Sequence, residues 1–172
     1  MSFSDFKLIR LTPEHELLPF NCDDKDLNEY IFEDAKANQS QLLAVTYLLE
    51  SDQNTVAFFS IFNDKITVED FESKSKWKRL VPHNKRKKSY PAVKLGRLGI
   101  NIDHQRVGLG RDILNYIKIL FIDKNKTGCK FITVDAYSKS LQFYEKNGFD
   151  YMTTKDKQED TRLMFYDLSQ LL

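Results

Sequence analysis

Seven consecutive residues, Gln105-Arg106-Val107-Gly108-Leu109-Gly110-Arg111, combine the residue types that hold a phosphate ester. They stand between a strand-like apolar run, Ala92 to Ile102, and a helical run, Leu109 to Asn125. The first backbone N–H groups of a helix have no partner within it. The aligned peptide dipoles place partial positive charge at the same end. Gly108 and Gly110 lack a Cβ, so the main chain there can come close to a diphosphate. Arg106 and Arg111 add two cations. The same residues also fit a plain left-handed turn entering a core helix. Two familiar phosphate loops are excluded: the first glycine of a dinucleotide fingerprint is missing, and no Gly-Lys-Ser/Thr follows as in a Walker loop.

A second stretch could do different chemistry. Residues 74–88 hold eight basic side chains and no acidic one: Lys74, Lys76, Lys78, Arg79, Lys85, Arg86, Lys87 and Lys88. Trp77 and Tyr90 lie within or beside them. Cations next to aromatic rings can hold a phosphate backbone and stack on a base. A solvated charged loop is the alternative reading. The formal net charge of the whole chain is +1, so outside this stretch the balance is acidic. Charge is therefore polarised along the chain, with no global attraction to nucleic acid or membrane.

The elements that must position these residues can be read from apolar periodicity. Phe6 to Leu11 predicts a first strand, after which Pro13 and Pro19 interrupt regular structure. Asp23-Asp24 can cap a helix running to about Asn38, with Leu27, Tyr30, Ile31 and Ala35 on one face. Leu42 to Leu49 and Val56 to Phe62 predict a hairpin, and Ile66 to Phe71 is left open. In the strand Ala92 to Ile102, Gly96 and Gly99 point to a bulge or a close backbone approach. Ile113, Leu114, Ile117, Leu120 and Phe121 give the following helix one broad apolar face. Phe131 to Val134 predicts a buried strand. Ser138 can cap a further helix that Gly148 ends, and Phe149 to Thr154 with Arg162 to Leu168 form a closing hairpin.

The chain has 172 residues, 41% hydrophobic and 30% charged, which suits a single globular domain over residues 1–172. Cys22 and Cys129 suggest neither a zinc site nor a disulfide framework, and His15, His83 and His104 lack ligand spacing, so no metal is expected. The N-terminus lacks the basic start and apolar segment of a signal peptide. No apolar stretch is long enough to span a bilayer. A soluble cytoplasmic protein is the expectation.

Gln105 to Gly110 resembles the Q/R-x-x-G-x-G/A motif of the GCN5-related N-acetyltransferases. Leu141-Gln142-Phe143-Tyr144-Glu145-Lys146-Asn147-Gly148-Phe149 is similar to that family's F/L-Y-E-K-x-G-F helix. The two occur in the family's order, separated by a helix and a strand. Phe20-Asn21-Cys22 with Leu27 resembles the F-x-C-x-x-x-x-L opening of one subgroup, which includes toxins that acetylate aminoacyl-tRNA. Pro91 to Gly99 is similar to the same subgroup's P-x-x-x-L-G-R-L-A strand, with Gly99 where alanine is usual.

The resemblance implies an α/β (α+β) GNAT fold: a mixed, mostly antiparallel sheet of six or seven strands, splayed in the middle and flanked by about four helices. It implies acetyl-CoA as cofactor. The diphosphate would lie on Gln105, Arg106, Val107, Gly108, Leu109, Gly110 and Arg111, with the pantetheine arm along Leu98, Ile100, Asn101 and Ile102. Tyr144 takes the role of general acid. A phenol with a reference pKa of ~10 can protonate a departing thiolate of roughly similar basicity. A buried core tyrosine is the alternative for this residue. The strand 92–102 carries no Asp or Glu to serve as base. An α-amine, at ~7.8, needs less help to deprotonate than a lysine, at ~10.4. That favours an α-amine as acceptor. Aminoacyl-tRNA is one such acceptor, with Lys85, Arg86, Lys87, Lys88 and Trp77 as the candidate RNA contacts. A protein N-terminus, a small amine and a non-catalytic acyl-CoA-binding module on the same fold stay open. An antitoxin and a second copy of the chain are further candidate partners.

Overall fold

The computed structural model describes residues 3–80, 87–123 and 127–172. The chain divides into two compact units, neither continuous in sequence. The first comprises Met1–Asn63 and Leu95–Ile117, the second Asp64–Lys94 and Lys118–Leu172. Strands β3 (Thr55–Thr67) and β4 (Ser89–Ile100) and helix α4 (Leu109–Asp123) each run from one unit into the other. Seven strands follow the order β1-β2-β3-β4-β5-β7-β6. The β4–β5 pair is parallel, while β1–β2, β2–β3, β5–β7 and β6–β7 are antiparallel. This is the mixed, mostly antiparallel sheet expected.

In the first unit, β1 (Lys7–Arg10) pairs with β2 (Val45–Glu50), and β2 with β3. The intervening helix has three parts: α1 (Lys25–Glu29), a π-helical turn (Tyr30–Asp34) and α2 (Ala35–Ser40). The Asp24 carboxylate accepts the Leu27 N–H at 3.3 Å, the cap that the sequence predicts. Tyr30, Ile31 and Ala35 are buried with Leu11, Phe20, Leu48 and Phe58, and Leu27 packs against that cluster. The strand predicted from Leu42 starts instead at Val45. The N–H groups of Gln41, Leu42 and Leu43 close the end of α2, and Leu42 takes a positive φ of 58°. The backbone of these residues finishes the helix, so their apolar side chains stay exposed.

In the second unit, β4 pairs with β5 (Phe131–Tyr137) over Ala92–Lys94 and Phe131–Thr133. β7 (Thr161–Asp167) lies between β5 and β6 (Asp150–Tyr151), which closes the predicted hairpin. β3 continues past Phe62 and brings Ile66 into a core with Phe71, Trp77, Ala92, Phe131, Met152 and Phe165. Two expectations need correction. Residues 74–80, for which a solvated charged loop is one of the two readings, form helix α3 (Lys74–Leu80). Ser73 starts it, its Oγ accepting the Lys76 N–H at 3.3 Å, and Trp77 with Leu80 gives it an apolar face against the core. Ser138 does not cap α5 (Leu141–Lys146): its hydroxyl donates to the Asp160 carbonyl, and a 3-10 turn over Ser138–Ser140 precedes the helix. Gly148, at φ 84°, follows the end of that helix as predicted.

Candidate active site

The loop between β4 and α4 belongs to the first unit and is exposed from Gln105 to Gly108. Arg106 and Gly108 both take positive φ, 63° and 92°. A left-handed arginine is uncommon and raises the local energy, so the surrounding structure must hold it. Gln105 does much of the holding. Its side-chain amide donates to the carbonyls of Cys22 at 3.1 Å and Ile100 at 3.0 Å. Its backbone N–H goes to the Ile102 carbonyl. With these donors engaged, Gln105 anchors the loop rather than offering hydrogen bonds outward.

The next five N–H groups are different. Those of Arg106, Val107, Gly108, Leu109 and Gly110 donate to no acceptor among the described residues. The Gly108 carbonyl accepts from Arg111 and Asp112, which starts α4. Helix start and loop thus supply an unbroken run of main-chain donors at the positive end of a fifteen-residue helix. The Arg111 guanidinium lies beside Gly108, 3.7 Å from where a Cβ would stand.

The strand leading to this loop is bulged. A Cβ on Gly96 would stand 2.1 Å from the Phe62 ring, and one on Gly99 2.6 Å from the Phe58 ring. Phe58 and Phe62 are four residues apart on β3 and share a face. Gly96 and Gly99 are three apart, yet both face those rings. Regular alternation forbids this, so β4 carries an extra residue at Arg97–Leu98. A bulge leaves one residue out of the regular ladder. Beyond it the chain is pinned. The Asn101 N–H donates to the Val56 carbonyl at 2.8 Å and the Ile102 N–H to the Asn21 carbonyl at 2.9 Å. Those two positions, expected to pair with a ligand arm, therefore have their amide protons engaged in the fold; Leu98 and Ile100 are the remaining pair.

Tyr144 belongs to the second unit, on α5. It is 7% exposed, and its ring meets Phe143 and Phe149 edge to face, with centroids 5.1 and 5.3 Å apart. Its carbonyl accepts the N–H groups of Asn147 and Phe149, which fixes the helix end. Burial pushes the phenol pKa well above its ordinary value. The hydroxyl therefore keeps its proton throughout the range in which proteins work. Lys118, on the second-unit part of α4, lies over the Phe149 and Tyr166 rings. Its ammonium donates to the Asn147 carbonyl at 2.8 Å and lies 3.9 Å from the Tyr166 ring centre, and burial lowers its pKa.

A family model described as an acetyltransferase (GNAT) domain matches residues 78–169, more than half of the chain. The chain belongs to the GNAT family. Its fold is also that of three solved structures. A tyrosine-to-phenylalanine mutant of KacT matches with a TM-score of 0.79 at 20% identity, over 97% of this chain and 99% of that one. AtaT complexed with acetyl-methionyl-tRNAfMet matches with a TM-score of 0.77 at 20% identity, over 97% of each chain. AtaTR bound with AcCoA matches with a TM-score of 0.76 at 19% identity, over 96% of this chain and 95% of that one. Comparison with curated protein sequences gives no match.

In this GNAT chain the basic stretch is not what its sequence suggests. Trp77 is 5% exposed and packs against Phe71 and Tyr90 in the second core. Its face is not available to a nucleic-acid base, which corrects its place among the RNA contacts. The indole sits on the apolar side of α3 and is the helix's main anchor. Lys76 is also engaged, donating to the Tyr151 carbonyl at 2.6 Å and pairing with Asp150 at 2.8 Å. Lys74, Lys78 and Arg79 are exposed on α3, as are Lys87 and Lys88. Lys85 and Arg86 lie outside the described residues. No helix is long and apolar enough to cross a membrane, and no cluster of metal-binding side chains occurs, among the described residues. The sequence reading missed Arg97, the side chain in the β4 bulge. The odd spacing of Gly96 and Gly99 was the signal that could have found it.

Proposed function

We propose that this chain is an acetyl-CoA-dependent N-acetyltransferase acting on a primary α-amine, with the aminoacyl end of a charged tRNA as its acceptor. The five consecutive unpaired N–H groups from Arg106 to Gly110 carry the cofactor reading. They suit a diphosphate, which accepts several hydrogen bonds and is favoured at a helix start. Main-chain groups at the bulge, Arg97–Leu98, are the donors for the thioester oxygen. Acetyl-CoA would supply the thioester whose carbon takes the amine as its C–S bond breaks. Tyr144 would give its proton to the leaving sulfur, and its phenolate would regain one from the acylated nitrogen, so that an amide and a thiol result. β4 brings no carboxylate of its own, which suits an amine that is already largely neutral near pH 8.

The acceptor reading rests on three supports. Exposed cations cluster on α3 and at Lys87 and Lys88. The N-terminal and β4 motifs resemble those of tRNA-acetylating toxins. The same fold is found in AtaT complexed with an acetylated initiator tRNA. AtaT also occurs bound to its antitoxin AtaR, and we extend to this chain a cognate antitoxin and a cytoplasmic site of action. The test is acetyl transfer to charged tRNA, a peptide panel and polyamines, read by mass spectrometry, for the parent and for Tyr144→Phe. Charged tRNA should be the preferred acceptor. The variant should lose roughly 10²- to 10⁴-fold in rate, the range for loss of a general acid, with acetyl-CoA affinity unchanged. Parental rates in the variant would remove Tyr144 from the mechanism.

A further inference from the structure

Three oddities of the first unit meet at one place away from the phosphate loop. The helix between β1 and β2 changes to a π-helical turn at Tyr30, and such turns occur frequently at functional sites. The Tyr30 hydroxyl is buried without a hydrogen-bond partner among the described residues, in a residue only 4% exposed. Arg97, in the β4 bulge, buries its Nε without a hydrogen-bond partner as well. The two are neighbours: the Arg97 guanidinium carbon lies 5.1 Å from the Tyr30 ring centre. Asp26, one turn earlier on α1, places a carboxylate oxygen 3.6 Å from that Nε, an ion pair too long for a hydrogen bond. Buried donors are nearly always paired in native proteins, and an unpaired one points to a ligand, a water or a functional role. Here one unpaired buried donor, the Arg97 Nε, adjoins the Asp26 carboxylate, and its guanidinium lies against the ring of the tyrosine that carries the other. Asp26 and Arg97 are themselves partly exposed, at 58% and 37% of their side chains, so the pair borders solvent.

We infer that Asp26, Tyr30 and Arg97 form the subsite that reads the acceptor as an α-aminoacyl group. This rests on the acetyltransferase reading above and specifies its acceptor. Tyr30 O–H and Arg97 Nε–H are donors suited to the carbonyl oxygen next to the amine. The Asp26 carboxylate is an acceptor suited to the amine's own protons. An amine and a carbonyl on adjacent carbons match this pattern, and a polyamine, which has no carbonyl, leaves both donors unpaired. A site built to hydrogen-bond one group discriminates strongly against an analogue that lacks it. These are positioning residues: none takes part in bond making.

The experiment uses the full chain with acetyl-CoA and three acceptors: bulk charged tRNA, a peptide with a free N-terminus, and spermidine. Acetyl-CoA affinity is measured separately by calorimetry. The parent should favour the α-aminoacyl acceptors over spermidine by at least about 100-fold in kcat/KM. Tyr30→Phe and Arg97→Lys, which each remove one of the two donors, should raise acceptor KM about tenfold. Both should leave acetyl-CoA affinity unchanged and narrow the preference over spermidine. Equal use of spermidine by the parent, or unaltered acceptor KM in both variants, overturns the subsite. A parent that binds acetyl-CoA yet acetylates neither α-aminoacyl probe also overturns it and leaves the cofactor site standing. A parent that fails to bind acetyl-CoA sinks the acetyltransferase reading, and the subsite with it. If Arg97→Lys folds poorly, Tyr30→Phe, which deletes one oxygen, decides the matter alone.

Discussion

The loop from Gln105 to Arg111 and the helix α3 are both rich in cations, but they expose different kinds of hydrogen-bond donor. The loop offers main chain. Five N–H groups are directed by two positive-φ residues and held by the side-chain amide of Gln105. α3 offers side chains. Lys74, Lys78 and Arg79 stand exposed on a helix whose other side is fastened into a core by Trp77. A main-chain cradle has fixed donor positions, so it should be sensitive to one torsion and tolerant of side-chain change. A side-chain patch should be the reverse: tolerant of small shape changes, additive charge by charge, and steeply dependent on salt. Four variants test that contrast.

The largest effect should come from the residue that ties α3 down. Trp77→Ala opens a cavity among Phe71, Tyr90 and Phe165 and should reduce stability by roughly 3–5 kcal/mol. Denaturant unfolding would show it as a lower midpoint. A small loss of stability together with a large loss of tRNA affinity would return Trp77 to the role of a base-stacking residue.

Next in size is Gly108→Val. No side chain blocks a Cβ at Gly108, because the nearest atom, Arg111 Nη2, is 3.7 Å away. The obstacle is the torsion of φ 92°, which a β-branched residue adopts only with strain, of order 1–3 kcal/mol. Acetyl-CoA affinity should fall about tenfold or more, and tRNA affinity should not change. If calorimetry finds acetyl-CoA bound as before, the loop's conformation is irrelevant to the cofactor and the cradle is refuted.

These two substitutions also show what the sequence could and could not reveal. The loop's conformation was readable because it rests on glycine placement and on a helix start, both visible as letters. The Asp24 cap, the left-handed Gly148 and the closing hairpin were readable for the same reason. α3 was not, because a run of lysines looks alike whether it is helix or loop. Its single buried aromatic acquires meaning only when Ile66, Phe131 and Phe165, distant in sequence, are brought around it. The anchoring role of Gln105 was hidden likewise, since its partners include the carbonyl of Cys22, far upstream. The bulge lay in between. Its two glycines were noticed, but their odd spacing speaks only once Phe58 and Phe62 show which way each glycine faces.

A third variant probes the patch directly. Reversing Lys74, Lys78 and Arg79 to glutamate should weaken tRNA binding by about tenfold near physiological salt. It should also flatten the dependence of affinity on salt, because each phosphate contact to a single strand contributes a slope of roughly 0.7. Acetyl-CoA affinity should be untouched. An unchanged salt slope would place the tRNA contact elsewhere on the chain.

The smallest effect belongs to Arg111, and it distinguishes the two regions most sharply. Arg111 is a cation beside the cradle, with its side chain 67% exposed and its Nε 3.7 Å from Asp112. If the cradle works through the main chain, Arg111→Gln should weaken acetyl-CoA by only about two- to threefold, the scale of a solvent-screened charge. That modest loss should shrink further as salt is raised, while the Gly108→Val defect persists at every salt concentration. A loss for Arg111→Gln equal to that for Gly108→Val would mean that the loop binds through side-chain charge after all. The loop and α3 would then differ in position and not in kind.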